Sequence, residues 1–270
     1  MIINKGNQVR LWSLLVLVFL PVNLLQAVEV KGLYEIELIA NSESAADREQ
    51  AVKQALYGVL SRVLVSDDIS KLPAVQQLLQ GAQHYVKQFQ YSLIPADAYS
   101  ESDARLIRVE FDQDQLLEVI RTSQVGVWSE IRPETLIWLV VEEDGKRQLY
   151  NPDMLPDIES ALSLASKVKG VPIMFPILDL EEQQRISVSD VLSADSRNLL
   201  AASARYEVPA MMAGRLVRKD QCWQGEWAFY FDSKIQQWSN ECLPLKAAAM
   251  EGMQGAYRIL SNYYGVKPNN

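Results

Sequence analysis

The sequence predicts an α+β protein: two small mixed sheets with packed helices, the second unit resembling an α/β arrangement. Three observations lead to this class: one unbroken apolar run, several segments in which polar and apolar residues alternate, and several with apolar residues at helical spacing. The predicted organisation is a signal peptide at 1–27, an N-terminal α+β unit at 28–127 and a C-terminal mixed α/β unit at 128–270. The predicted order is β-α-α-β-β-α and then β-α-β-α-β-β-β-α.

The apolar run at 135–141 reads Thr-Leu-Ile-Trp-Leu-Val-Val and is the centre of this prediction. Arg132-Pro133 precedes it, and a charged turn at 142–147 follows it. A run of this length between turn signals is typical of a strand covered on both faces. We therefore expect a layered second unit with Trp138 in its core.

The first unit follows from periodicity and capping residues. Gly58 lies inside a helical pattern and is expected to allow close packing on a strand. Asp112 is expected to cap a helix, with Gln115 completing a capping box. The predicted elements are a strand at 28–39, helices at 44–64 and from Pro73 to about Gly81, strands at 88–93 and 107–111 joined by a loop at 95–103, and a helix after Asp112.

The second unit begins after a connection at 123–133. Gly170 is expected to end a helix, and Pro172 and Pro176 favour an edge or irregular strand. The predicted elements are strand 135–141, helix 155–169, strand 171–178, helix 195–206, strands 209–218, 223–231 and 235–241, and helix 245–263.

The first 27 residues have the pattern of a secretory signal peptide. Lys5 and Arg10 precede an apolar stretch at 11–20, Pro21 interrupts it, and Ala27 offers a small residue for cleavage. The alternative, an uncleaved anchor, is disfavoured because the stretch is short for a bilayer. We expect a soluble periplasmic protein without a stable membrane span.

Composition excludes several function classes. The net charge of -8 and the pI near 4.9 argue against nucleic-acid binding, which needs clustered basic residues. His84 is the single histidine, and the sequence holds no phosphate-binding loop or dinucleotide turn. We therefore expect no metal, no cofactor and no catalytic triad.

Two cysteines are the clearest chemical feature. Cys222 opens one predicted strand and Cys242 closes its hairpin partner, about two positions from direct opposition. In an oxidising compartment this placement predicts a disulfide, and two reduced buried thiols are the alternative.

Acidic residues near the strand at 171–178 support one candidate site. Asp179, Glu181, Glu182 and Asp190 follow a predicted strand, where sites on α/β sheets often lie, and paired carboxylates are the machinery of a glycosidase. The alternative is a solvated loop in which Asp179 or Asp190 caps local turns. Trp128 joins the candidate binding residues, although aromatic residues more often serve core packing.

Several motifs resemble an uncharacterised envelope family, domain of unknown function 2066. They are residues 29–34, Val127-Trp128-Ser129 with Arg132-Pro133 and 135–139, residues 176–181, and Ser189-Asp190-Val191. Residues 204–216 are more weakly similar to envelope assembly proteins, namely the curli secretion lipoprotein and lipoprotein activators of cell-wall synthases. The resemblance implies an envelope protein that binds a protein partner, without an activity to carry over.

These observations predict an exported accessory protein of the Gram-negative envelope without catalysis. The alternative is a cell-wall hydrolase that uses the carboxylates near 179–190.

Overall fold

The computed structural model describes residues 27–94, 103–152, 155–193 and 196–266. All of the predicted signal peptide except Ala27 lies outside the described residues, as do residues 95–102 of the predicted loop and the predicted helix start at Asp195.

The described residues between 27 and 122 include an antiparallel sheet with helices packed on it. Their elements are β1 (Ala27–Glu29), β2 (Glu35–Ala40), α1 (Ala45–Val63), β3 (Leu64–Val65), α2 (Pro73–Gln80), β4 (Val86–Ser92), β5 (Arg105–Phe111) and α3 (Gln113–Thr122). The sheet has the order β2-β5-β4. The apolar face of α1 packs with Ile107, Val109 and Phe111 of β5 in one buried cluster.

Local signals placed these helices correctly. The Ser44 side chain accepts a hydrogen bond from Asp47 N at 3.1 Å at the start of α1. Asp112 accepts from Gln115 N at 3.0 Å, but the Gln115 amide bonds the Asp112 carboxylate, so only half of the capping box forms. A Cβ at Gly58 would collide with Ile36 of β2, which confirms that Gly58 allows close packing.

The predicted single strand at 28–39 is wrong. Gly32 has φ +67°, and Glu35 N donates to Gly32 O at 3.0 Å, so the chain turns between β1 and β2. β1 leaves the first sheet altogether and pairs with a strand at Ile131–Pro133. Polar and apolar residues alternate across this turn as they do in the strands, so the sequence pattern alone could not reveal the turn.

The described segment from residue 123 onward contains a larger mixed sheet and two short strands that pair outside it. Its elements are β6 (Gly126–Val127), β7 (Ile131–Pro133), β8 (Thr135–Glu143), β9 (Lys146–Leu149), α4 (Pro156–Lys169), β10 (Ile173–Met174), α5 (Leu180–Arg185), α6 (Val188–Leu192), α7 (Arg197–Ser203), β11 (Ala210–Lys219), β12 (Cys222–Phe231), β13 (Lys234–Leu243) and α8 (Leu245–Tyr264). The sheet order is β10-β8-β11-β12-β13, and β9 also pairs with β8. β8 is parallel to β10 and β11, whereas the other pairs are antiparallel.

β8 is covered on both faces, as its sequence predicts. Ile137, Leu139 and Val141 pack in the cluster that contains α4 and α8. Leu136, Trp138 and Val140 pack in a second cluster with residues of α6 and α7. Trp138 is 1% exposed, and its indole N–H donates to Ser203 Oγ at 2.9 Å, so it is a core residue. The α+β class with packed helices is confirmed.

Short elements account for the other differences. The connection at 123–133 holds β6 and β7, the charged turn after β8 is a hairpin into β9, and the stretch after β10 folds into α5 and α6. β10 itself has two residues, because Pro172 and Pro176 flank it and cannot donate to a ladder. Among the described residues, no helix combines the length and apolar character needed to cross a bilayer.

A buried arginine of β7 joins the end of α1 to the end of α4. Arg132 is 0% exposed, and in the described residues no carboxylate forms an ion pair with it. Its guanidinium lies 4.0 Å over the Trp128 ring. Its N–H groups instead donate to backbone carbonyls, those of Ser129 (2.8 Å), Lys169 (3.2 Å), Gly170 (2.7 Å), Arg62 (2.5 Å) and Trp128 (3.2 Å).

A second arginine, Arg62 at the end of α1, completes this junction. It is 7% exposed and donates to the carbonyls of Gly32 (2.9 Å), Leu33 (2.8 Å), Glu35 (2.5 Å) and Lys167 (3.2 Å). The Tyr257 hydroxyl of α8 adds a hydrogen bond to Leu64 O at 2.7 Å. Burial lowers the pKa of both arginines to about 10, so both remain charged at neutral pH.

Replacing Arg132 with methionine tests this junction. We expect the free energy of unfolding to fall by about 3 kcal/mol or more, because several buried carbonyls lose their donors. Arg132→Lys should recover only part of the loss, since an ammonium lacks the planar fork. Urea denaturation measures both. Arg147→Met is the control: its ion pair with Glu142 is half exposed, and its loss should cost under about 1 kcal/mol. Similar losses at both positions would contradict the assignment.

Candidate functional site

Asp179 and its neighbours form a compact polar cluster at the start of α5. The Asp179 carboxylate accepts from Glu182 N at 2.9 Å and pairs with Arg205 at 2.9 Å. Glu182 is 2% exposed and accepts from Leu178 N at 2.7 Å, the Tyr206 hydroxyl at 2.6 Å and Arg205 at 3.2 Å. The cluster thus holds α5 to the segment after α7.

The electrostatics of this cluster oppose acid catalysis. The Arg205 hydrogen bond, followed by the bond from Glu182 N, lowers the pKa of Asp179. Burial, with the hydrogen bond to Glu182, raises the pKa of Tyr206 to about 12. A general acid near neutral pH needs a carboxyl with a raised pKa, and Asp179 has the opposite shift.

Asp190 is the N3 residue of a capping box on α6. Its carboxylate accepts from Ser187 N at 2.9 Å, while Ser187 Oγ accepts from Asp190 N at 3.3 Å. Ser196 Oγ and Asn198 Nδ2 each donate to Asp190 at 3.0 Å. The hydrogen bonds from Ser187 have the largest effect, and together these contacts lower the pKa of Asp190 to about 2. Asp179 and Asp190 both cap short helices, whereas the alternative interpretation places them at turns of a solvated loop.

The other candidate residues lie apart from this cluster or below the surface. Glu181 is exposed and pairs with Arg185 one turn along α5 at 3.0 Å. Trp128 is 0% exposed between Arg132 and Tyr257, so a ligand at the surface does not reach its ring. His84 lies exposed in a short 3₁₀ turn at 82–85.

The predicted disulfide is confirmed. Cys222 and Cys242 are bonded, with their Cα atoms 5.2 Å apart, across β12 and β13. Asp232 and Ser233 both have positive φ and close the hairpin in two residues, which sets the register. Trp223 faces Leu243, so the two cysteines lie on the diagonal that the sequence suggested.

A separate cleft lies beside the arginine junction. This junction cleft has a volume of about 540 Å³ and is formed by residues 29–35, Lys87, residues 110–114 and Glu130. Its charged groups are Lys31 and Lys87 together with six carboxylates, those of Glu29, Glu35, Glu110, Asp112, Asp114 and Glu130. The cleft is therefore strongly acidic.

Three of these carboxylates form no hydrogen bond or ion pair within the described residues: Glu29, Asp114 and Glu130. The others are engaged. Lys87 pairs with Glu110 at 2.7 Å, Arg108 lies 3.4 Å from Glu35, and Asp112 caps α3.

Tyr34 forms part of the cleft wall. Its side chain is 8% exposed, and within the described chain its hydroxyl forms no hydrogen bond. Burial, with a further contribution from Glu130, raises its pKa to about 12, so the hydroxyl stays protonated. No sequence pattern indicates this site, because the cleft draws on four separate segments that only the fold brings together.

Comparison with known families corrects the resemblance drawn from the motifs. A family model described as a domain of unknown function (DUF8605) matches residues 27–129. The assignment to domain of unknown function 2066 is therefore wrong, and the similarity to envelope assembly lipoproteins is not supported. No curated protein and no solved structure matches the chain. The matched segment contains all of the junction cleft except Glu130.

The low pKa of Asp190 predicts a specific pH dependence. A carboxyl whose pKa is lowered on folding stabilises the fold above its unfolded pKa, and this contribution is lost as pH falls toward about 2. Asp190→Asn should therefore cost about 1 kcal/mol at neutral pH, a typical capping effect in a solvent-screened position.

Urea denaturation of the wild type and Asp190→Asn between pH 7 and pH 2 measures this effect. The difference between them should shrink below about pH 4. A difference that is constant across this range would contradict the charge-based role.

Proposed function

We propose that this chain is an exported accessory protein of the Gram-negative envelope that acts by binding a partner protein and not by catalysis. The observation that carries the proposal is the state of the candidate catalytic acids. Asp179 and Asp190 are both held in helix caps, and both have lowered pKa values. The hydrolase alternative needs Asp179, Glu181 or Asp190 as a protonated acid, and the third of these, Glu181, is paired with Arg185.

Export is supported by two independent features. The first 27 residues have the basic start, the apolar stretch and the small residue at the cleavage position that are typical of a signal peptide. The disulfide lies on the protein surface, where Cys242 is exposed. Thiol pools of a reducing cytosol would keep such a cysteine pair reduced, so the bond suits an oxidising compartment such as the periplasm.

The β13 strand offers a suitable surface for the partner. It is ten residues long, ends the large sheet, and its outer edge pairs with no strand in the described part of the chain. Most of its side chains are exposed. An open strand edge presents unpaired N–H and C=O groups to which an extended segment of another protein can add a strand.

The disulfide provides the first test. Under non-reducing conditions, mass mapping of protein from the envelope should find the peptides of Cys222 and Cys242 joined. Cys222→Ser with Cys242→Ser should lower the free energy of unfolding by about 3 kcal/mol, since the bond closes a loop with a sequence separation of 20. Two cysteines that are both alkylatable in native protein would count against export to an oxidising compartment.

Crosslinking in intact envelopes tests the binding function. A photoreactive residue at the exposed Gln237 of β13 should capture a defined partner, whereas the same residue at the exposed Lys53 of α1 should capture none. Capture at both positions or at neither would reject β13 as the partner surface.

Turnover assays on peptidoglycan fragments test the alternative. We expect no turnover by the purified protein. Turnover that Asp179→Asn abolishes, with an unchanged urea midpoint, would reject the non-catalytic proposal.

A further inference from the structure

The junction cleft combines free negative charge with an unused hydroxyl. Its six carboxylates outnumber its two lysines, and Lys87 is already paired with Glu110. Such a cleft attracts cations and repels phosphate or carboxylate ligands. Glu29, Asp114, Glu130 and Tyr34 lie on its wall, and their side chains form no hydrogen bond or ion pair within the described residues.

The arrangement fits an organic cation better than a metal ion. Among the described residues, no group of three or more His, Cys, Asp or Glu side chains is close enough to hold a metal. The carboxylates are instead spread around a space of about 540 Å³, within the size range of small-molecule sites. A molecule with several spaced N–H donors can reach several of them at once.

Tyr34 adds a directional contact. Its hydroxyl oxygen can accept a hydrogen bond from an ammonium N–H, and the resulting charge-assisted bond is stronger than a neutral one. The hydroxyl lies within electrostatic reach of Glu130 and Asp114, two of the three free acids, and also of the buried Arg132, whose effect on the Tyr34 pKa they and burial outweigh.

We propose that the junction cleft binds an organic ammonium ion, with Glu29, Asp114 and Glu130 supplying the charge and the Tyr34 hydroxyl accepting a hydrogen bond. The ammonium group can belong to a free polyamine or to lysine side chains of a peptide, because both present the same chemistry. This site is independent of the compartment and of the partner surface proposed above.

Calorimetric titration at low ionic strength tests the proposal with two probes, spermidine and C-terminally amidated trilysine, and with their fully N-acetylated forms as uncharged controls. We expect saturable binding at one site for at least one probe and none for the acetylated forms. Binding by spermidine alone identifies a free polyamine as the source, and binding by trilysine alone identifies a peptide.

Variants locate the site. Asp114→Asn with Glu130→Gln should weaken binding roughly tenfold, as expected for two lost charges near a protein surface. Tyr34→Phe keeps the ring and should weaken binding about two- to tenfold through the lost hydrogen bond. Urea midpoints confirm that each variant is folded.

The matched control is Glu159→Gln with Glu251→Gln. It removes the same two charges from exposed positions outside the cleft and should change affinity less than about twofold. An equal loss in the control pair would show general attraction to a negative protein and would overturn the site. Absence of saturable binding by both probes would overturn it as well.

Discussion

The constraint on which this structure depends is the burial of two guanidinium groups that, within the described residues, form no ion pair with a carboxylate. A buried charge is tolerated only when its hydrogen-bonding groups are satisfied, and Arg62 and Arg132 meet this demand through backbone carbonyls. Substituting a residue elsewhere cannot provide a new backbone carbonyl for these arginines, because the path of the backbone fixes the position of each carbonyl. The end of α1, the turn at 32–35 and the end of α4 must therefore keep their positions together. Gly170 shows how tight this is: a Cβ there would lie 2.6 Å from Arg132 Nη1.

The same constraint shapes the cleft. The turn that presents its carbonyls to Arg62 also carries Tyr34, and the ribbon of β1 and β7 that leads into Arg132 carries Glu29 and Glu130. Arg132 lowers the pKa of Tyr34, although burial and the acids outweigh it. The positive charge of Arg132 is thus buried beneath the cleft wall, and the carboxylates lie on the side of the wall that faces the cleft. This separation keeps the free carboxylates available to solvent.

Much of the fold could be predicted from local physics. The period of α1, the caps at Ser44 and Asp112 and the apolar run of β8 each act over a few residues, and the chain follows them. The turn at Gly32, the two-residue strands and the short helices α5 and α6 could not be predicted, because they are too brief to show a period. In the sequence, Arg132 could be recognised only as part of the turn signal before a strand and of one motif of the resemblance. Nothing in its neighbours along the chain indicates that carbonyls from α1 and α4 surround it.

The acids show why a candidate site is harder to predict than a fold. Asp179 and Asp190 drew attention because they follow a strand, yet that position is also where a chain must begin a helix, and helix N-termini select Asp and Ser. A carboxylate that caps a helix has its lone pairs occupied and its pKa lowered, and both effects remove it from proton transfer. Glu29, Asp114 and Glu130 come from three distant segments and have no such role in the described residues. The acids left unpaired by the fold are the ones available for a ligand, and only tertiary structure distinguishes them.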